Sequence, residues 1–485
     1  MEGQIPFRDF FEVMGPGTFY WLALFFKILG VTWLATRICL LFTTLGMVVL
    51  LYYLTRRLRC GMAAIPAIFF VAVSYHNWNA ISHHNDSTLL ALAAFAAYVF
   101  STQTGNRSFL FLAGLTAGLT TCFMLPKGLL LCLSFGLLTL LLNRPGQRLR
   151  GLLILASGYL LVLSATATYF WHARALSDLV YANVVWPFTS YHGVNTVPYG
   201  LEFRELYWNS FISSFSAVVS PFVATLISSW LSLPFLIAMG LPALLLTLCI
   251  SQGRTAFDRT TLPYWLSGAA LWLSEMHRKD LGHIVFGSPL LIILAVYLCS
   301  RAAQKWPVRA AVRVAFLSAC TLAALNPLVA LTASHTLPTR RGLVRDTSKN
   351  NPVLAFLNEH VKPGDSIFVY PYAPLYYFLS ATHNPTRYSI LMYNINTDAQ
   401  FTDAIRALDT NQVRYIVWDR SFPMWINKWF PAYRIPDAAK QTMESHILGH
   451  YTLVTETQNG YQILQRSTPA KPIIADLRPK EAALQ

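Results

Sequence analysis

Residues able to move protons or hold phosphate gather in three stretches of this 485-residue chain. The first spans residues 3–12 and sets Arg8, Asp9 and Glu12 in a turn-rich segment ahead of Gly15-Pro16-Gly17. A carboxylate there suits a general base or the positioning of an acceptor hydroxyl. The plainer alternative is a solvated loop with an Arg–Asp pair. The second stretch holds His76, Asn77, Asn79, His83, His84, Asn85 and Asp86. Imidazole and carboxylate suit a divalent ion, but adjacent histidines project in different directions and the spacing fixes no further ligand. Hydrogen bonding to a sugar or phosphate is the favoured role, with Asp86 as a cap for a helix starting at Ser87 as the alternative. The third stretch is residues 275–283, with Glu275, His277, Arg278, Lys279, Asp280 and His283. Arg278 and Lys279 offer a guanidinium fork and a point charge to a phosphate, or to ordinary lipid headgroups. Lys127, just after Pro126 between two apolar segments, is placed to join them.

The elements that must carry these residues are apolar. Hydrophobic residues make up 54% of the chain and charged residues 12%, about half the charged share of a soluble domain, and the mean hydropathy is +0.43. A net charge of +15 raises nucleic acid as a partner. The charge lies in short loops between apolar runs, as the positive-inside rule expects, and that excludes nucleic acid in favour of membrane lipids. Spans are predicted at residues 32–54, 62–75, 86–101, 109–125, 127–143, 151–171, 233–250, 262–276, 283–300 and 310–331, about ten crossings. Arg56, Arg57 and Arg59, then Arg144, Arg148 and Arg150, then Arg254 and Arg259, then Arg301, Lys305 and Arg309 fall on one side of that arrangement. The apolar stretch 206–231 is left over and reads as lying at the outer interface or re-entering. The seven cysteines lie in or beside apolar segments without C-x-x-C spacing and read as small fillers.

The expected fold is therefore a polytopic α-helical membrane protein with a small extracytoplasmic α/β domain at its C-terminal end. Its parts are residues 1–31, a first outer loop and juxtamembrane helix; 32–335, the transmembrane domain; 340–467, the α/β domain; and 468–485, a disordered tail. Within 340–467, helices are predicted at 351–361, 374–381 and 400–408. Strands are predicted at 366–370 and 414–418, with a hairpin over 450–464 turning at Asn459-Gly460. Neither G-x-G-x-x-G nor G-K-[ST] occurs there, so a nucleotide site has no support. A lid or acceptor-orienting role is the better reading. The opening residues fall outside with nothing ahead of them to carry them across, and an upstream helix in the natural chain is the expectation.

Taken in order, these motifs resemble the membrane glycosyltransferases of the GT-C fold, in particular the bacterial group related to protein O-mannosyltransferases and lipid A aminoarabinose transferases. The resemblance covers most of the chain. It rests on residues 3–12 leading into Gly15-Pro16-Gly17-Thr18-Phe19-Tyr20-Trp21, on Gly30 and Arg37, on Asn85-Asp86, and on Arg278-Lys279-Asp280-Leu281-Gly282-His283 with Pro289. It implies transfer of a sugar from a polyprenyl-phosphate donor to a lipid, glycan or protein hydroxyl at the outer membrane face, with inversion. Such an enzyme sits in the plasma membrane, here expected to be a bacterial inner membrane with the α/β domain in the periplasm. Glu12 matches the acidic position before the juxtamembrane helix, and Asp86 that of the next outer loop. Arg278, Lys279 and His283 match the loop near the donor phosphate; Arg8, His83, His84 and Lys127 join them as binding candidates from the reading of the residues alone. The resemblance fixes no cofactor, and a divalent metal stays open. The family's favoured base is an Asp, often in an Asp-Glu pair, earlier in the first outer loop. That segment is missing here, so either it lies upstream or Asp9 has taken the role.

Overall fold

The computed structural model describes residues 3–77, 79–216, 219–302, 309–332, 334–346 and 348–467. The expected tail at 468–485 and the basic Lys305 lie outside the described residues. The chain opens with α1 (Pro16–Leu29), α2 (Trp33–Arg57), α3 (Ile65–Asn77), α4 (His83–Thr104), α5 (Arg107–Phe123), α6 (Leu125–Leu142) and α7 (Pro145–His172). Short α8 (Leu176–Val180), two π-helical turns and α9 (His192–Asn195) follow, then α10 (Asn209–Ser216). The bundle resumes with α11 (Pro221–Met239), α12 (Leu241–Gln252), α13 (Leu262–Glu275), α14 (Leu281–Gly287), α15 (Pro289–Ala302) and α16 (Arg309–Thr332).

Five of these helices, α2, α4, α6, α7 and α11, are long and apolar enough to cross a membrane alone. The α14–α15 pair passes the same criterion as one span bent by 68°. Large apolar side chains face outward along them: Leu34, Leu41, Leu45 and Val49 on α2, and Leu133, Leu137 and Leu141 on α6, are exposed. An outward apolar stripe at helical spacing is costly in water and favourable in lipid. Inside the bundle, backbones meet closely. A Cβ at Gly114 of α5 would lie 2.0 Å from the Leu155 carbonyl of α7, and one at Gly158 would lie 2.3 Å from that of Phe111. Small residues allow this approach where lipid supplies no hydrophobic drive between helices.

The stretch 206–231 departs from expectation. Its first part forms α10, but its second part belongs to α11, and the span predicted at 233–250 is divided at Gly240. Ser220 caps α11 by accepting from the Val223 amide at 3.4 Å, with Pro221 in the first turn. Hydropathy is continuous across both points, and only the capping residues mark the true start.

Beyond α16 come the hairpin β1 (His335–Thr339) and β2 (Gly342–Asp346), then α17 (Pro352–His360), β3 (Ile367–Tyr370), α18 (Leu375–Leu379) and α19 (Asp398–Thr410). They are followed by β4 (Tyr415–Asp419), α20 (Phe422–Trp429), α21 (Thr442–His450), β5 (Tyr451–Glu456) and β6 (Tyr461–Arg466). The four-stranded sheet runs β3-β4-β6-β5, with β3 and β4 parallel and the other pairs antiparallel. β3 and β4 are buried throughout, which explains their unbroken apolar runs. The predicted helices and strands of this region are present. The β1–β2 hairpin, α20 and α21 are additions to them.

This domain rests on the end of the bundle where α2 begins and α7 ends. The Trp33 amide donates to the Arg341 carbonyl at 2.7 Å, the Phe11 amide to the Arg387 carbonyl at 2.7 Å, and Arg387 to the Phe7 carbonyl at 2.7 Å. The arginine-rich loops after α2, between α6 and α7, and between α12 and α13 occupy the opposite end.

Candidate functional site

Four helix ends converge beneath the α/β domain: the starts of α4, α6 and α14 and the end of α13. Lys127 sits in the first turn of α6 and Glu275 in the last turn of α13, both fully buried. Their Nζ and Oε1 atoms are 2.5 Å apart, and Nζ also donates to Thr88 Oγ1 at 2.9 Å. His84 of α4 reaches the other oxygen of Glu275, Nδ1 to Oε2, at 3.0 Å. The His84 and His283 rings lie 4.3 Å apart, and His283 Nδ1 is 2.6 Å from Asp280 Oδ1. Asp280 also caps α14, accepting from the His283 amide at 3.0 Å, and it pairs with Arg278. The result is a buried chain with two imidazoles between two ion pairs, Lys127–Glu275–His84–His283–Asp280–Arg278. Ionisable groups at such depth persist only when paired.

The sequence-derived site residues divide into several environments. His84, Lys127, Arg278 and His283 belong to this chain of contacts. Glu275 is its hub and carries a role the sequence analysis did not assign. Its signal was present, because Glu275 and Lys127 both stand within apolar helices, and an intramembrane charge asks for a named partner. Arg278 is not an open phosphate fork. Besides Asp280 it donates to Asn195 Oδ1 at 3.0 Å and to the Trp429 carbonyl at 2.6 Å, and its guanidinium lies 4.5 Å from the Phe430 ring centre. It ties α20 to the bundle. Lys279 differs from its neighbour and is exposed.

Asp86 is not the cap of α4. That cap is Ser82, whose hydroxyl accepts from the His84 amide at 3.2 Å. Asp86 points instead toward α2, accepting from Thr43 at 3.3 Å, whereas His84 faces Glu275. The grouping of His83, His84 and Asp86 around one metal therefore fails: successive helical residues diverge by about 100°. His83 stacks on His84 with ring centres 3.9 Å apart. A different trio, His84, Glu275 and His283, offers ligand atoms within 4.8 Å of one another. Its donor chemistry suits a divalent ion, but the Lys127 ammonium already holds the carboxylate such an ion would need. The trio does not fit a resident metal in this arrangement.

Of the two candidate bases, Asp9 is committed to structure. Arg8 grips it through Nε–Oδ1 at 2.7 Å and Nη2–Oδ2 at 2.8 Å, and the Ile5 amide donates to Oδ2 at 2.7 Å. The hydrogen bond from Arg8 outweighs the desolvation cost and pulls its carboxyl down to about 2, too low for an efficient base near neutral pH. Arg8 itself goes on to the Ala173 carbonyl at 2.9 Å. Glu12 is different. Its described partner is the Ser389 hydroxyl of the α/β domain. Desolvation pushes its carboxyl up, and the Ser389 bond opposes this only in part. Gly15, three residues on, packs on the junction of α5 and α6: a Cβ there would lie 2.2 Å from the Cys122 carbonyl, five residues before Lys127. Glu202 is a further buried carboxylate, in the loop preceding α10 with φ +80°. Burial and the nearby Asp280 push it up to about 8, against the pull of Arg278.

The model for dolichyl-phosphate-mannose-protein mannosyltransferases matches residues 14–172. No curated protein sequence matches the chain. Among solved structures, ArnT from Cupriavidus metallidurans bound to undecaprenyl phosphate superposes with a TM-score of 0.50 at 10% identity, over 94% of this chain and 88% of that one. The chain carries the GT-C fold. The oligosaccharyltransferase AglB from Archaeoglobus fulgidus, in complex with an inhibitory peptide and a dolichol-phosphate, gives 0.44 at 12% identity over 96% of this chain and 67% of that one. The segment matched by the family model contains Asp86 and Lys127. Glu12 lies just before that segment, and Glu275, Arg278 and the α/β domain lie after it.

Proposed function

We propose that this protein is a membrane glycosyltransferase. It takes a sugar from a polyprenyl-phosphate-linked donor at the outer face of the membrane and passes it, with inversion, to a lipid, glycan or protein hydroxyl. The membrane is a bacterial inner membrane, with the α/β domain in the periplasm. The observation that carries this reading is the water-excluded Lys127–Glu275–His84 cluster at the end of an apolar bundle, covered by the α/β domain and opposite the arginine-rich loops. The positive-inside rule assigns those loops to the cytoplasm. That ArnT, a structure of the same fold, holds undecaprenyl phosphate supports the donor class.

In this proposal Glu12 accepts the proton of the acceptor hydroxyl. The freed oxygen attacks the anomeric carbon, the bond from that carbon to the phosphate oxygen breaks, and the electron pair leaves with the phosphate. A phosphate leaving group is a stable anion and needs cations rather than a general acid. Lys127 and exposed Lys279 supply them, with Lys127 released from Glu275 as the phosphate enters. His83 and His84 serve as hydrogen-bonding groups for the sugar, and Asp86, turned toward Thr43, holds α4 against α2. Arg278 positions α20 and does not contact the donor.

The test is consumption of a labelled polyprenyl-phosphate sugar in vesicles containing the purified full-length protein. The expected result is release of polyprenyl phosphate by the wild-type protein and a loss of about 10²–10⁴-fold for Glu12→Gln, the usual worth of a general base. Labelled lipid that crosses the bilayer unconsumed would establish a flippase instead. Neither crossing nor consumption would mark an inactive scaffold.

A further inference from the structure

We infer that the α/β domain holds a binding site for a small organic ammonium ion, distinct from the buried cluster and independent of the transfer reading. The site is a cavity of about 280 Å³ between the ends of β3 and β4, the start of α20 and one face of α21. Glu444 of α21 lines it. Tyr370 donates its hydroxyl to Glu444 Oε1 at 2.6 Å, and Tyr393 donates to Oε2. Trp418, Phe422 and Tyr433 supply further aromatic surface.

The charge and the ring faces of the lining decide the ligand class. Both tyrosyl protons are directed at Glu444. Gln441 Nε2 donates one of its two protons to the Pro436 carbonyl at 2.8 Å. Asp419 is saturated from within the fold by the Ser421 amide at 2.9 Å, the Ser421 hydroxyl at 2.6 Å and Trp425 Nε1 at 3.3 Å. The lining thus sets a carboxylate and hydroxyl and amide groups among ring faces, with the Arg420 guanidinium beside them. An ammonium group only donates, carries positive charge, and is drawn to aromatic faces. Trp418 already receives a cation: the exposed Arg420 guanidinium lies 4.3 Å from its ring centre at the rim. A carboxylate ringed by aromatic side chains is the composition of an ammonium cage.

The cavity adjoins the candidate active site through α20, whose first residue lines it and whose last offers its carbonyl to Arg278. Nothing in the proposed transfer uses Glu444 or its tyrosines, so the cage carries a recognition role of its own.

The test is calorimetry and tryptophan fluorescence on the full-length protein in detergent, titrated with tetramethylammonium chloride, with glucose and sodium chloride as controls. Tetramethylammonium is expected to bind saturably, and glucose and sodium are not. Glu444→Gln should weaken binding by at least about tenfold, and Arg420→Ala should tighten it by roughly two- to threefold by removing the rim's competing cation. A gain of affinity in Arg420→Ala cannot come from misfolding. Saturable binding of glucose without tetramethylammonium, or equal affinity of Glu444→Gln and wild type, would overturn the inference.

Discussion

Lys127 and Glu275, 2.5 Å apart with no exposed surface on either side chain, are each other's main counter-charge. Removing one partner strands the other in a medium that cannot solvate it. Glu275→Gln should therefore destabilise the protein by about 3–5 kcal/mol, and the apolar double variant Lys127→Met/Glu275→Leu should recover most of that loss. Thermal unfolding in detergent checks both. If the pair serves transfer and not only the fold, the double variant will be folded and inactive. Glu12 gives a pH signature. Its carboxyl is raised in the folded protein, so the folded state binds the proton more tightly than the unfolded chain, and stability falls as pH rises above the ordinary carboxylate range. Glu12→Gln should then be more thermostable than wild type at pH 8, with the advantage vanishing below the unfolded carboxyl value near pH 4. Melting curves across that range decide it. A turnover that rises with pH in wild type and is lost in Glu12→Gln belongs to the same proposal.

At the scale of elements, packing at Gly15 seats the start of α1, three residues after Glu12, on the α5–α6 elbow that also carries Lys127. Any side chain there meets the Cys122 and Phe123 carbonyls, which are backbone and cannot yield cheaply. Gly15→Val should push α1 off the α5–α6 elbow and reduce donor consumption at least about tenfold while the α/β domain stays folded, as a misplacement remote from the chemistry can. Near-UV circular dichroism beside the activity assay separates the two effects. Much at this scale was legible in the sequence. Helices α2 to α7 follow from apolar runs punctuated by arginines, and β3 and β4 from the short buried runs SIFVY and RYIVW. The α11 boundary was not legible, because Ser220-Pro221 is a weak signal inside continuous hydropathy. Nor was the pairing of Lys127 with Glu275. They lie far apart in sequence, and only the packing of α6 on α13 shows that the two in-helix charges are one feature. Arg278 and Lys279, adjacent in the chain, could not be told apart without knowing that one faces Trp429 and the other solvent.

For the whole molecule, the ties that hold the α/β domain to the bundle include the Trp33–Arg341 and Phe11–Arg387 backbone bonds, the Arg387–Phe7 and Ser389–Glu12 bonds, and the Arg278–Trp429 bond. Arg278→Ala removes the last and leaves Asp280 without its guanidinium partner. The domain should then rock more freely, and trypsin should cleave near exposed Lys349 several-fold faster than in wild type, as local opening becomes easier. Unchanged proteolysis would return Arg278 to the role of phosphate ligand. The most direct measurement for the account as a whole is sidedness. In a background with the native cysteines replaced by alanine, single cysteines at the exposed positions Gly3, Lys279 and Arg148 are treated in intact cells with a membrane-impermeant maleimide. The account predicts labelling at positions 3 and 279, and none at 148 until the membrane is permeabilised. Labelling of 3 and 279 from opposite faces, or of 148 together with them, would contradict it.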